Sequence, residues 1–207
     1  MTLLQPVSGQ MALEDLVETA CERIDQVVYQ QQCASLTLSG TRIYLRGDVR
    51  QFVCELPMKQ LQPEDLQINQ QELLSPSEGI MQTVHERGRP VDELLWTLGW
   101  LRSGGQLSDQ CRRNDVVLFS RWPNLSRLPT RASTHRIIAL LTARPSSIVL
   151  ASRLLGVSEE EVAQVYSAGM AAGYAAPINR KIEPPVVKPH RHKSLIGRLM
   201  QHLQRDQ

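Results

Sequence analysis

A chain of 207 residues, 42% hydrophobic and 21% charged, has enough apolar material to bury a core, which sets it apart from low-complexity and disordered polymers. Its formal charge of +2 hides an asymmetry: beyond Ile178, seven Lys or Arg stand against Glu183 and Asp206, giving this tail +5 and the rest −3. No stretch approaches the roughly 18 apolar residues of a membrane span, and MTLLQPVSGQMALEDLV lacks the basic start of a secretory signal, so the expected compartment is the cytoplasm.

Leu13, Leu16, Val17, Ala20, Ile24, Val27 and Val28 recur at helical spacing, with Glu14, Asp15, Glu18, Glu22 and Arg23 largely between them, which predicts an amphipathic helix over about 12–30. The period then changes. Leu36 and Leu38, a Ser39-Gly40 turn, and Ile43 and Leu45 alternate as a β-hairpin does, and Phe52, Val53, Cys54 and Leu56 suggest a third strand. From Pro57 to Gly79 the Gln-rich chain, broken by Pro63 and Pro76, predicts loops with one helical turn at 63–66. A second helix starts at Pro90, carries Val91, Leu94, Leu95, Leu98 and Leu101 with Trp96 and Trp100 beside them, and stops at Ser103-Gly104-Gly105. Val116 to Phe119 is a β-type run, after which Trp122-Pro123-Asn124 turns the chain into an Arg-rich connector.

Ile137, Ile138, Leu140 and Leu141 mark a helix ending before Pro145. Ser146 or Ser147 is placed to cap another, with Leu150, Ala151, Leu154 and Leu155 expected inside, and Gly156 to end it. Ser158 opens a third helix, where Glu161 completes an S-x-x-E capping box and Val162, Val165 and Tyr166 point inward. The stretch LASRLLGVSEEEVAQVYSAGMAAGY, with its Ala, its turn Gly and its capped helix, resembles the helix-turn-helix of winged-helix proteins over Ser133 to about Ile178. That resemblance implies three helices with a small β-wing, and either duplex DNA binding or protein contact. The whole is expected to be an α+β fold: an α+β domain at 1–128, a winged-helix-like domain at 129–178, a basic Pro-containing linker at 179–193 and an amphipathic helix at 194–207.

The third helix is unsuited to DNA. A reading helix needs cations against phosphate and base-bonding side chains near its start. This one opens with Glu159, Glu160 and Glu161 and carries no Lys or Arg. The glutamates complement the helix dipole instead, and the small residues that follow allow close packing on another helix or a second copy. Glu159, Glu160, Glu161, Gln164, Ala168 and Ala171 are therefore the expected protein-binding residues, with a homodimer as one arrangement. Arg112, Arg113, Arg121, Arg127, Arg131 and Arg136 face only Asp115 in their stretch, so they suit a nucleic-acid backbone or an acidic partner, or else form a solvated connector paired with carboxylates elsewhere. Trp96, Trp100 and Trp122 are read as core residues.

In the tail, Leu195, Ile196, Leu199, Met200 and Leu203 share one helix face beside Lys193, Arg198, His202 and Arg205; so short a helix orders only against the body, a partner groove or an anionic membrane surface. His190 and His192 lack further ligands, and Cys21, Cys33, Cys54 and Cys111, spaced 12, 21 and 57 residues apart, form neither a zinc nor a disulfide pattern, so neither metal nor cofactor is expected. No nucleophile elbow, zincin, Walker or dinucleotide motif is present. Cys111 beside Arg112 and Arg113 has the setting of a lowered thiol pKa, but no orienting His stands near it in sequence. The sum is a non-enzymatic bacterial regulatory or adaptor protein that binds protein, with DNA-binding transcriptional regulation as the alternative and membrane-surface attachment as a weaker one.

Overall fold

A computed structural model describes residues 13–38, 41–55, 57–61, 68–73 and 78–181. The expected turns at 39–40 and 63–66, Leu56, most of the linker and the helix at 194–207 lie outside these.

The fold is α+β. Helix α1 (Leu13–Tyr29) forms where its apolar period predicts, and Val17, Ala20, Ile24 and Val27 are all buried. It packs over an antiparallel sheet built from β1 (Cys33–Leu38), β2 (Thr41–Arg46), β3 (Gln51–Cys54), β4 (Ile68–Leu73) and β5 (Arg89–Pro90), in the order β4-β1-β2-β3-β5. The register sets Ala34 opposite Leu45 and Leu45 opposite Phe52, so the period-2 pattern puts one closed apolar row on the inner face. Strand β4 and a single 3-10 turn at Met58–Gln60 stand within the loops expected over 57–79, and helix α2 (Glu78–Arg87) begins at their end. In β4, INQQEL has no apolar alternation. Its place comes from backbone pairing with β1 at the sheet edge.

Helix α3 (Val91–Ser103) follows β5 directly and ends at Gly104. Apolar around most of its circumference, it is buried along nearly its whole length. Trp96 and Trp100 stack at 6.3 Å, and the Trp96 indole donates to the carbonyl of Pro129 at 3.2 Å. Both are core residues as expected, whereas Trp122 is 51% exposed. The connector after it is no solvated linker, because Leu125 and Leu128 anchor it in the core.

Strand β6 (Val116–Phe119) precedes helix α4 (Thr134–Ala143), strand β7 (Ser146–Ser147), helices α5 (Ile148–Leu155) and α6 (Glu159–Ala171), and strand β8 (Ala175–Pro177). The small sheet has the order β7-β6-β8, both pairs antiparallel. Its central strand thus arrives from before the three helices, and β8 pairs with it without a hairpin. Contacts cross the boundary expected at 128/129: β6 belongs to the sheet completed by β7 and β8, and α3 contacts both α1 and α6 within a continuous core.

The predicted caps form. The Ser147 hydroxyl accepts from the Leu150 amide at 3.3 Å, and that of Ser158 from the Glu161 amide at 3.2 Å. Gly156 takes φ +63°, the left-handed geometry that lets α5 stop and α6 start three residues later, at Glu159. Ser158→Ala is expected to cost about 1 kcal/mol, read as a lower urea midpoint with unchanged slope; no change would mean that the cap contributes nothing.

Candidate interaction surface

The residues expected to meet a partner on α6 do not form one surface. From Val162 to Gly169 the helix is buried without interruption. Gln164 is spent inside, where its amide nitrogen donates to the carbonyl of Trp100 at 3.1 Å. Ala168 is fully buried and Ala171 half-buried, both against α3. The contact is close because Gly99 faces them: a Cβ there would stand 2.7 Å from the Ala171 Cβ and 3.1 Å from the Ala168 Cα. The small-residue half does take a second helix, as its composition suggested, but the helix is the chain's own α3. The three glutamates diverge. Glu159 pairs with Arg113 at 2.8 Å, Glu160 is exposed beside Gly105, and Glu161 turns its carboxylate to the Ser133 hydroxyl.

The connector arginines also separate. Arg121 meets Asp92 at 2.7 Å and lies 4.6 Å above the Tyr174 ring, with Arg50 on the other Asp92 oxygen at 3.2 Å. Arg136 donates to the carbonyl of Leu155 at 2.8 Å, closing the end of α5. Arg112, Arg127 and Arg131 are exposed. Pairing with carboxylates thus accounts for Arg113 and Arg121 only.

A broader pattern runs through this half. Between Asp115 and Glu159 the chain has no carboxylate at all, while Arg121, Arg127, Arg131, Arg136, Arg144 and Arg153 are all exposed. Two large apolar side chains lie among them: Leu150 is 46% and Leu154 53% exposed. Both were expected inside. Only Ile148 and Ala151 of α5 are buried, because the helix has eight residues and one face against α4 and α6, and its apolar residues outnumber the places on that face. Leu150 and Leu154 lie one helical turn apart on a helix fixed by the Ser147 cap, the Gly156 turn, the Arg136 bond and a 2.6 Å bond from the Ser152 hydroxyl to the Val157 carbonyl. They therefore form a preset apolar pair, with exposed Arg153 on the same helix, Arg144 in the link before it and Arg136 bonded to its end. Arg144, Arg153 and both leucines escaped the sequence reading. The missing carboxylates were a readable signal for the arginines, while the helical period pointed the leucines the wrong way.

Elsewhere, Asp115 is fully buried in a fully bonded cluster. Arg180 grips its two oxygens at 2.6 and 2.8 Å, the Tyr166 hydroxyl donates at 2.6 Å, and the Arg112 amide at 2.9 Å. Burial alone raises a carboxyl pKa, but the bonds from Arg180, Tyr166 and the Arg112 amide outweigh it and hold Asp115 below the usual range. Cys111 lies nearby, and burial pushes its thiol up, contrary to the lowering suggested by its arginine neighbours, which point outward. Among the described residues, no three His, Cys, Asp or Glu side chains converge as metal ligands would, and no helix is long and apolar enough to cross a membrane. A cavity of about 350 Å³ opens between β2, β3 and α2, walled by Arg42, Tyr44, Glu55 and Thr83 among others.

Comparison of the chain with protein-family models, curated proteins and solved structures gave no match.

Proposed function

We propose that this chain is a non-catalytic cytoplasmic adaptor or regulatory protein, and that its winged-helix-like module contacts protein through α5 and not through α6. The observation that carries the reading is the exposure of Leu150 and Leu154 on a doubly capped helix. Exposed apolar side chains in a rigid frame are the usual centre of a protein contact, since they gain most by leaving water. The likeness to winged-helix modules draws support from α4, α5 and α6 in order with a glycine at the turn, and the departure is the central strand supplied from before them. Groove reading by α6 is disfavoured because its start presents Glu159, Glu160 and Glu161 and its middle is buried, with α3 packed against it.

The competing reading, nucleic-acid binding, is favoured by one observation: the exposed arginines with no carboxylate among them, beside exposed Trp122. Immobilised full-length chain is expected to retain a partner that L150K/L154K releases and E159K/E160K/E161K keeps, with no duplex shift at moderate salt. Duplex binding that is steeply salt-dependent and lost in R127A/R131A would reverse the order of the two readings.

A further inference from the structure

We infer that the partner taken by α5 is an acidic amphipathic helix, an inference that rests on α5 being the contact surface proposed above. The apolar part of the surface is narrow. An eight-residue helix is about 12 Å long, and Leu150 and Leu154 are its outward pair, so it offers one apolar ridge about two side chains long. A partner helix meets such a ridge with residues spaced one turn apart, leaving its flanks over whatever surrounds the leucines.

What surrounds them is positive on α5, on α4 and in the link between the two. Arg153 is on α5 itself, Arg136 reaches the end of α5 from α4, and Arg144 stands in the link between the two helices. From Thr134 to Ser158 there is no carboxylate to offset them. The nearest acidic groups, at the start of α6, are directed elsewhere: Glu159 to Arg113, Glu160 beside Gly105 and Glu161 to Ser133.

This rim decides among occupants. A second copy docked by its own α5 would set the same arginines against one another across a two-fold axis. The chain's own tail carries +5 and meets the same repulsion. A nucleic acid would satisfy the arginines and leave both leucines against a hydrated phosphate backbone, where their apolar surface gains little. A helix with one apolar face and Asp or Glu on its flanks satisfies both parts of the surface together.

The test uses the full-length chain and fluorescein-labelled synthetic helices of about 18 residues, long enough to be helical when bound. One has a leucine face and glutamate flanks, the second has lysine in place of glutamate, and the third has serine in place of leucine. By fluorescence anisotropy the leucine and glutamate peptide is expected to bind at least about tenfold more tightly than either control, and more weakly as salt rises from about 50 to about 500 mM. L150S/L154S is expected to lose about tenfold, and R144E/R153E to prefer the lysine peptide. Equal binding of the three peptides overturns the inference. So does self-association that L150S/L154S abolishes, or a single-stranded or duplex oligonucleotide that displaces the peptide and binds L150S/L154S as well as wild type. If the immobilised chain keeps its partner through Leu150 and Leu154 while the peptides are not distinguished, the acidic-helix inference fails and the protein-contact reading stands; if L150K/L154K also retains that partner, both fail.

Discussion

Asp115→Asn is expected to destabilise the protein by about 3–5 kcal/mol at neutral pH, as breaking a buried ion pair from one side does. The isosteric change is severe because of how the carboxylate is used. One oxygen accepts from the Arg180 Nε, and the other from the Arg180 Nη2, the Tyr166 hydroxyl and the Arg112 amide. An asparagine has a single acceptor and turns an NH2 toward one set of donors, so at least one buried donor loses its bond and Arg180 loses its counter-charge. Arg180→Ala is expected to cost less, because that side chain is 20% exposed and water can replace part of what it gives. The pH dependence supplies a separate check. Asp115 is held below its ordinary pKa in the fold, so its contribution is fully present above the unfolded value near 4 and disappears as pH falls through the folded value. The stability gap between wild type and D115N, from guanidinium titrations, should therefore be widest near pH 7 and narrow steadily below about pH 4. A gap below about 1 kcal/mol at pH 7, or one that widens in acid, would falsify this account.

The cluster is also where the tail begins. Arg180 stands three residues past β8, and Asn179 bonds the Val116 amide at 2.9 Å and the Asn114 carbonyl at 3.0 Å. Residues 179 and 180 are therefore fixed beside β6.

How far the sequence could be read depended on whether a position is governed by its neighbours in the chain or by distant ones. The period of α1, the hairpin pattern at Leu36 to Leu45, the serine caps at 147 and 158 and the stop at Gly156 are local, and each appears where its residues indicate. Strand β4 is not local: Ile68 to Leu73 is a strand because β1 has an open edge beside it. The membership of β6 was equally hidden, since Val116 to Phe119 reads as a strand but nothing in it says that β7 and β8 will be its partners. For the site, local reading identified the glutamates of α6 correctly as a capped helix start. Their function went astray because Ala163, Gln164, Ser167 and Ala168 look like a solvent face until α3 is laid against them. The overlooked clue was in α3, whose stretch Leu94 to Leu101 is apolar on every side apart from a buried Thr97 and Gly99.

That glycine makes the strongest packing prediction. Gly99→Leu is expected to abolish the native α3–α6 contact and leave the chain aggregation-prone or unfolded at 37 °C, while Gly99→Ala retains the fold at a cost of about 1–3 kcal/mol. The distances set this ranking. A Cβ at 99 stands 2.7 Å from the Ala171 Cβ and 3.1 Å from both the Ala168 Cα and the Ser167 carbonyl oxygen. These are atoms of, or fixed to, the α6 backbone, so no rotamer change can give way and the two helices have to separate. The intrinsic preference of alanine for a helix interior opposes this by about 1 kcal/mol, so a net loss in G99A means that the steric cost is larger still. Ala171→Gly in the G99A background removes the nearest obstacle. The double variant is expected to recover at least about 1 kcal/mol relative to the sum of the two single changes, the coupling of residues in direct contact. Additive effects would mean that the helices adjust around position 99 without strain. Because α3 is what covers α6, the same variants bear on function: G99A should loosen α6 while leaving Leu150 and Leu154 on α5 in place. Partner retention by G99A with loss in L150K/L154K is the result expected of a contact made through α5. Loss in G99A with retention in L150K/L154K would return the contact to α6.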